Sequence, residues 1–346
     1  MKKWRQSLRL LPLFLAALAL SGCGKEGVSA LKPEGEVAKE QASLMLISLL
    51  IMIVVVLVVG FLFTYAMIKY RKRPGQEDYI PKQVEGNTKL ELTWTIIPII
   101  LLCILAVPTI SKTFALSDNN TSKKSDVLKI KVTGHQFWWE FEYPDQKITT
   151  AQDLYIPVGK KVEFDITSKD LIHAFWVPAL GGKQDANPGQ TNHLWLKADK
   201  EGTYKGRCAE LCGSSHALMY FNVKAVSDKE FKHWVKDMKA GMKSAPDKDR
   251  VLTASAKQGE EVFKNNCMSC HAVGNKGGQI GPNLTNFADR DNIGGFEKHT
   301  KSEVKKWIKD PESIKPGAKM PKFGKKLTDD QINALADYLF TLSVKQ

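Results

Sequence analysis

The sequence predicts a multidomain membrane protein in three successive parts: a two-helix transmembrane hairpin, an all-β sandwich or barrel, and a small all-α unit. Three observations carry this. Two long apolar runs lie in the first third of the chain. A stretch of about a hundred residues then alternates with the two-residue period of strands and is rich in β-branched and aromatic side chains. After Ser227 the spacing becomes helical, and a compact cysteine–histidine motif lies within the helical part.

The 346 residues leave room for two or three domains of ordinary size. The balance is basic, with a formal net charge of +13. Such a balance suits nucleic acid, a membrane surface or an acidic protein partner. No nucleic-acid motif is present in the sequence, so no nucleic-acid partner is expected and the other two lead.

Taken in order, residues 1–22 read as a secretory signal: Lys2, Lys3, Arg5 and Arg9 form a basic head, followed by the apolar core "LLPLFLAALAL". The small residues Ser21 and Gly22 abut Cys23, a pattern similar to a bacterial lipobox, which implies that Cys23 becomes the acylated first residue of the mature chain. The core is too short to span a bilayer. Residues 23–120 then hold an N-terminal segment and two spans, at about 42–68 and 92–116. Lys69, Arg71, Lys72 and Arg73 cluster in the short loop between them. The positive-inside rule puts that loop in the cytoplasm and everything after it on the extracytoplasmic face of a bacterial cell membrane.

Residues 121–240 make the β unit. "VLKIKVTGHQFWWEFEY" alternates, "LYIPVGKKVEFDIT" reads as strand, turn, strand, and "HAFWVPAL", "TNHLWLKA" and "MYFNVKAV" are further short strands. At its end Ser227 and Glu230 form a capping box, ahead of helically spaced Phe231, Trp234, Val235 and Met238. A polar linker at 241–254 leads to the α unit at 255–346. There a first helix ends near "NNCMSCH", a second starts at "TKSEVKKWIKD", and the last has Thr328 and Gln331 as its capping pair.

Six cysteines do not make a disulfide framework. Cys23 fits the lipobox, Cys103 lies in an apolar span, and the others form two close pairs, each with a histidine at ligand spacing. "CAELCGSSHALM" places Cys208, Cys212, His216 and Met219 on one loop between strands. Methionine is an unsuited zinc ligand, and a mononuclear blue-copper centre needs only one of the two thiolates. Two thiolates at C-x3-C can bridge two copper ions if a second imidazole arrives from elsewhere, and His173 in "DLIHAFWVPAL" is the natural donor.

This set resembles the binuclear CuA site of subunit II of the haem–copper cytochrome c oxidases. The resemblance implies a cupredoxin-like Greek-key barrel with His173, Cys208, Cys212, His216 and Met219 as side-chain ligands to two coppers. It implies also that Glu210 gives its backbone carbonyl to copper and its carboxylate to a magnesium at the contact with subunit I. "LELTWTIIP" is similar to the start of the family's second membrane helix, with Glu91 at the mouth of a proton pathway. "GHQFWWEFEY" resembles its aromatic stretch, where a surface-exposed ring accepts electrons; the candidates here are Phe137 and Trp138. Asp185 in "GKQDANPGQ" matches the family's docking loop.

C-x-x-C-H is the attachment motif for c-type haem, with Cys267 and Cys270 as thioether donors and His271 as axial ligand. Met268, His299 and Met320 are the sulfur and nitrogen candidates for the sixth position. Met268 sits inside the attachment loop and His299 in a charged stretch. Met320 in "PGAKMPKFG" resembles the sixth ligand of class I cytochromes c, and "GPNL" resembles that family's haem-edge loop. A Met/His pair raises the haem potential.

Together these imply a caa-type subunit II with a fused cytochrome c unit. Electrons from cytochrome c or its reductase, the fused haem included, would reach CuA and then haem a of subunit I, which also bears CuB. Oxygen reduction and proton pumping would occur there, with subunit III and small subunits in the complex. The chain is then part of a proton-translocating cytochrome-c oxidase, with no oxygen-reducing site of its own. A nitrous oxide reductase would need a histidine-rich catalytic cluster, for which seven histidines are too few. A non-catalytic electron-relay lipoprotein would share both metal motifs but gives no reason for Glu91 or the membrane hairpin.

Overall fold

The computed structural model describes residues 27–75, 80, 82–117, 127–243 and 252–345. The signal segment and Cys23 lie outside the described residues, as does most of the linker. Two compact units emerge, one of residues 39–123 and one of residues 1–38 with 124–346.

The first unit is the hairpin. Helix α1 runs Glu36–Lys69 and α2 runs Thr88–Ser117, and the most apolar window in each has a mean hydropathy of 3.3 and 2.4 respectively. Both extend beyond the apolar runs, because the polar flanks are themselves good helix formers and need not stop at the hydrocarbon edge. Asn87 caps α2 by accepting from the amides of Lys89 and Leu90 at 3.1 and 3.2 Å. Pro98 and Pro108 lie inside α2, where a membrane helix tolerates them. Lys112 near the end of α2 pairs with Glu40 near the start of α1, so the helices run antiparallel with a short connection. Glu91 stands exposed in the first turn of α2.

From residue 127 onward the second unit holds, among the described residues, first a run of ten strands. They are β1 (Leu128–His135), β2 (Trp138–Tyr143), β3 (Ile148–Ala151), β4 (Asp153–Pro157), β5 (Val162–Ser168), β6 (His173–Trp176), β7 (Lys183–Ala186), β8 (Asn192–Leu196), β9 (Gly202–Cys208) and β10 (Tyr220–Val226). They form two five-stranded sheets, ordered β3-β2-β1-β5-β8 and β4-β10-β9-β6-β7. Parallel pairing of β1 with β5 and of β10 with β4, among otherwise antiparallel neighbours, gives crossovers between the sheets. The alternation read from sequence is the burial pattern of the strands: in β2, Trp139, Phe141 and Tyr143 point inward. They meet Phe164, Phe175 and Phe221 from both sheets in one aromatic core, with Phe175 stacked on Phe221 at 4.8 Å.

Helix α3 (Asp228–Lys243) closes one side of the sandwich. Ser227 and Glu230 cap it reciprocally, and Trp234 stacks on Tyr155 at 4.6 Å. Asp185, a docking-loop residue by resemblance, sits in β7 opposite Ala174.

The α unit holds α4 (Ala254–Asn266), α5 (Lys301–Lys309), the single turn α6 (Pro311–Ile314) and α7 (Asp329–Leu339), with two two-residue strand pairs, β11–β12 (Ala272–Val273 with Lys276–Gly277) and β13–β14 (Asn292–Ile293 with Glu297–Lys298). The capping box of Thr328 and Gln331 starts α7. Helices α4 and α7 cross around Phe263, Leu335, Tyr338 and Leu339, which bury a separate small core. That unit lies directly on the sandwich. Val344 joins the sandwich core, and the Lys224 ammonium bridges buried Asp153 of β4 and Asp291 of the α unit at 3.0 Å each.

Candidate metal centres

The first centre is built where three strands end together. His173 opens β6, Cys208 closes β9, and Met219 directly precedes β10. Backbone bonds pin the two ends of the loop, from the Cys208 amide to the Met219 carbonyl and from the Ala209 amide to the Ala174 carbonyl, both 3.0 Å. The sulfurs of Cys208 and Cys212 lie 3.7 Å apart. His173 Nδ1 is 3.9 Å from the Cys208 sulfur, and His216 Nδ1 is 3.7 Å from that of Cys212. Met219 Sδ approaches Cys212 at 3.8 Å, and the Glu210 carbonyl approaches Cys208 at 3.2 Å.

Six donors thus converge, and four of their residues, His173, Cys208, Cys212 and Met219, are buried. A sulfur separation of 3.7 Å is no disulfide, which would need about 2.05 Å. The shared S–H contact holds Cys208 well below the ordinary thiol range, and the same contact with burial pushes Cys212 up. Ionisation thus favours Cys208, and a bound cation would favour loss of the second proton as well. Soft, buried, converging thiolates with imidazole and thioether suit copper.

Asp170 was not legible as a site residue. Its carboxylate accepts from His173 Nε2 at 2.8 Å, which fixes the ring proton there and turns Nδ1 towards the sulfurs. Burial alone would raise Asp170, but the His173 ring and the amides of Gln136 and Leu171 outweigh it and hold the carboxyl below its ordinary value. A carboxylate three residues before a ligand histidine was the available signal.

His135 stacks on Trp138 at 4.1 Å, and its Nε2 is buried with no hydrogen-bond partner among the described residues. Burial, the larger influence, with His173 and Lys169 pulls its pKa down to about 4, against Asp170. A folded-state value below the unfolded 6.5 means that the unfolded chain binds the extra proton between pH 6.5 and 4. Stability is therefore fully present above pH 6.5 and lost as pH falls through that window. His135→Phe, which keeps the stacking, is expected to reduce the proton uptake on unfolding near pH 5 by about one. Denaturant titrations across pH 4–7 check this, and an unchanged slope would refute it.

The second centre surrounds a cavity of about 470 Å³. Cys267 caps the end of α4, and Cys267, Cys270, His271 and Met320 all line the cavity. The Pro282 carbonyl can only accept, so His271 carries its proton on Nδ1, 2.9 Å away, and leaves Nε2 free for iron. Gly281 is required by closeness: a Cβ there would lie 2.5 Å from the His271 ring. Lining, size and tautomer fit a haem. Met268 packs on the α-unit core away from the cavity lining. His299 is not solvated as its charged stretch implied; it is half-buried, 4.8 Å from both Phe287 and Phe340.

Phe137 needs a correction. The resemblance implied a surface ring, yet Phe137 is 5 % exposed. The α unit covers it, and Gln136, Phe137 and half-buried Trp138 line the haem cavity from the sandwich side.

A membrane hairpin, a cupredoxin-like sandwich with a two-thiol donor cluster and a helical unit with a haem-attachment motif define a membrane-anchored cupredoxin fused to a cytochrome c. Residues 35–111 match the family described as cytochrome c oxidase subunit II, transmembrane domain; residues 146–226 match its periplasmic domain, and residues 256–343 match cytochrome c. A protein of Alkalihalophilus pseudofirmus named cytochrome c oxidase subunit 2 is 46% identical over 350 residues, covering 100% of both chains. Its namesake in Bacillus subtilis is 45% identical, covering 98% of this chain and 97% of its own. The solved periplasmic domain of cytochrome oxidase subunit II from Bradyrhizobium japonicum is 41% identical, covering 33% of this chain and 94% of its own, with a TM-score of 0.32. The chain belongs to the cytochrome c oxidase subunit II family and carries a fused cytochrome c domain.

Proposed function

We propose that this chain is the electron-accepting subunit of a bacterial caa-type oxidase, taking electrons at its own haem c and passing them through a binuclear CuA site to haem a of subunit I. Oxygen reduction and proton pumping then belong to subunit I. The observation that carries the reading is the convergence of two thiols, two imidazoles, a thioether and a carbonyl at the start of β6, the end of β9 and the start of β10. Bound copper and haem supply one-electron transfer without making or breaking bonds.

The chain's own residues do the rest. His173, Cys208, Glu210, Cys212, His216 and Met219 hold the coppers, and Asp170 sets the His173 tautomer. Cys267 and Cys270 would hold the haem covalently, and His271 and Met320 would ligate its iron. The sandwich excludes water from the thiolates, so little solvent must reorganise when charge changes there. Fusion keeps donor and acceptor at high effective concentration. Glu210 offers its carboxylate to a magnesium at the subunit I contact, and Glu91 stands at the mouth of a proton pathway. Cys23 anchors the N-terminus to lipid outside the cell, with both redox domains on that face.

Metal analysis of the protein purified from native membranes tests this. Two coppers and one iron per chain are expected, with near-infrared absorption, a multi-line copper resonance and co-purification of a haem a-bearing subunit. Zinc instead of copper, or a four-line signal, would end the binuclear reading.

A further inference from the structure

The segment just before Met320 reaches across the domain boundary into the copper loop. The Pro316 carbonyl accepts from the hydroxyls of Ser214 and Ser215 at 2.9 and 2.6 Å, and those serines lie between Cys212 and His216. Lys315 is 3 % exposed, and its ammonium donates to the Phe137 carbonyl at 2.7 Å and the Gly294 carbonyl at 2.8 Å. The first carbonyl belongs to the sandwich and the second to the α unit. The Phe296 ring lies 5.5 Å from the same nitrogen. On the sandwich side Gln136, which lines the haem cavity, donates its amide to the Cys212 carbonyl at 2.8 Å.

A fully buried lysine is rare unless it is given partners. Here the partners are carbonyls of both domains, so the energy of desolvating the amine is offset only when the domains are docked. Burial draws this amine's pKa down to about 7, yet charged or neutral it retains enough N–H groups for both carbonyls. Ordinary packing does not explain the placement, since an apolar side chain would fill the same space at less cost.

We infer that Lys315 is a positioning residue: together with Pro316 it clamps the loop bearing the sixth haem ligand onto the loop bearing the copper ligands. This rests on the reading of the two centres above. Tunnelling between centres falls steeply with their separation, so the clamp sets how fast one electron leaves ferrous haem, which becomes ferric, and reduces the oxidised copper pair. No bond or proton changes in that step.

The test uses the full chain with both centres loaded, comparing wild type with Lys315→Met. Intramolecular transfer is followed after rapid photoreduction of the haem, and amide hydrogen exchange is followed over residues 134–139 and 211–217. Losing a desolvated, two-carbonyl clamp is expected to slow transfer and speed exchange at both segments by about tenfold or more. Lys315 also lines the haem cavity, so loading is checked by iron and copper content, and the copper spectrum should stay unchanged. Unchanged transfer and exchange in a fully loaded variant would overturn the inference. If Lys315→Met fails to load its metals, Gly317→Ala decides: its new Cβ would lie 2.5 Å from the Ser214 hydroxyl and disturb the same contact from an exposed position. Faster exchange at residues 211–217 there supports the clamp, and unchanged exchange refutes it. Should wild type itself lack paired copper or haem, the reading of the centres fails, while the exchange comparison still decides the clamp.

Discussion

Cys212→Ser is expected to abolish the copper pair and leave the sandwich folded. Cys212 is the hub of the cluster, within 3.8 Å of the Cys208 sulfur, His216 Nδ1 and the Met219 sulfur. A serine hydroxyl is a hard donor, protonated at neutral pH, and reaches less far than a thiolate, so it bridges no soft metal. Copper content should fall from two per chain to one or none, and the multi-line resonance should collapse to four lines or vanish. Reduction of subunit I by the haem domain should fall with it. The fold should survive, because Cys212 sits among the core residues but serine is nearly its size, and the loop ends are held by backbone bonds that a serine keeps. Elemental analysis, spin resonance and far-UV dichroism on one preparation check all three. Two coppers retained in the variant would remove Cys212 from the ligand set.

What the sequence made legible follows from distance along the chain. The copper loop could be read because four of its side chains fall within a dozen residues, and the attachment motif because five residues carry it whole. Strand alternation and the capping boxes of α3 and α7 are likewise local, and the residues named for them occupy those places. Asp170 lies only three positions before His173 and had a local signal, but the other missed contacts join across the fold. Gln136 and Asp170 are 34 positions apart, Gln136 and Cys212 76, and Phe137 and Lys315 178. No spacing rule reaches that far, and each such residue is bland alone: an amide in an aromatic run, an acid and a lysine. The covering of Phe137 was hidden for the same reason. An aromatic run reads as partly exposed until a second domain is placed on it, and nothing local announces the docking.

Gly259→Ala is expected to destabilise the haem domain, and the sign of that change is the diagnostic. In an open helix position alanine is favoured over glycine by about 1 kcal/mol, because it restricts the unfolded chain more. Gly259 lies in α4 where that helix crosses α7, and a Cβ there would come within 1.9 Å of the Ala334 carbonyl oxygen and 2.8 Å of Tyr338 Cβ. The nearest atom is backbone, so no side chain can swing aside; the helices must move apart by about 1 Å, at about 3 kcal/mol or more. A domain this small is stabilised by only about 5–15 kcal/mol, which makes the loss a large share of the whole. The damage also reaches the cofactor, since Cys267 stands at the end of the same helix and Phe263, one turn beyond Gly259, packs on Tyr338 at 5.5 Å. Calorimetry should show the haem-domain transition falling by about 12 °C or more, with haem incorporation reduced and copper content kept. Lys264→Ala, exposed on the same helix, should change stability by less than about 0.5 kcal/mol. A Gly259→Ala protein as stable as wild type, or more so, would mean that α4 and α7 do not cross at this glycine.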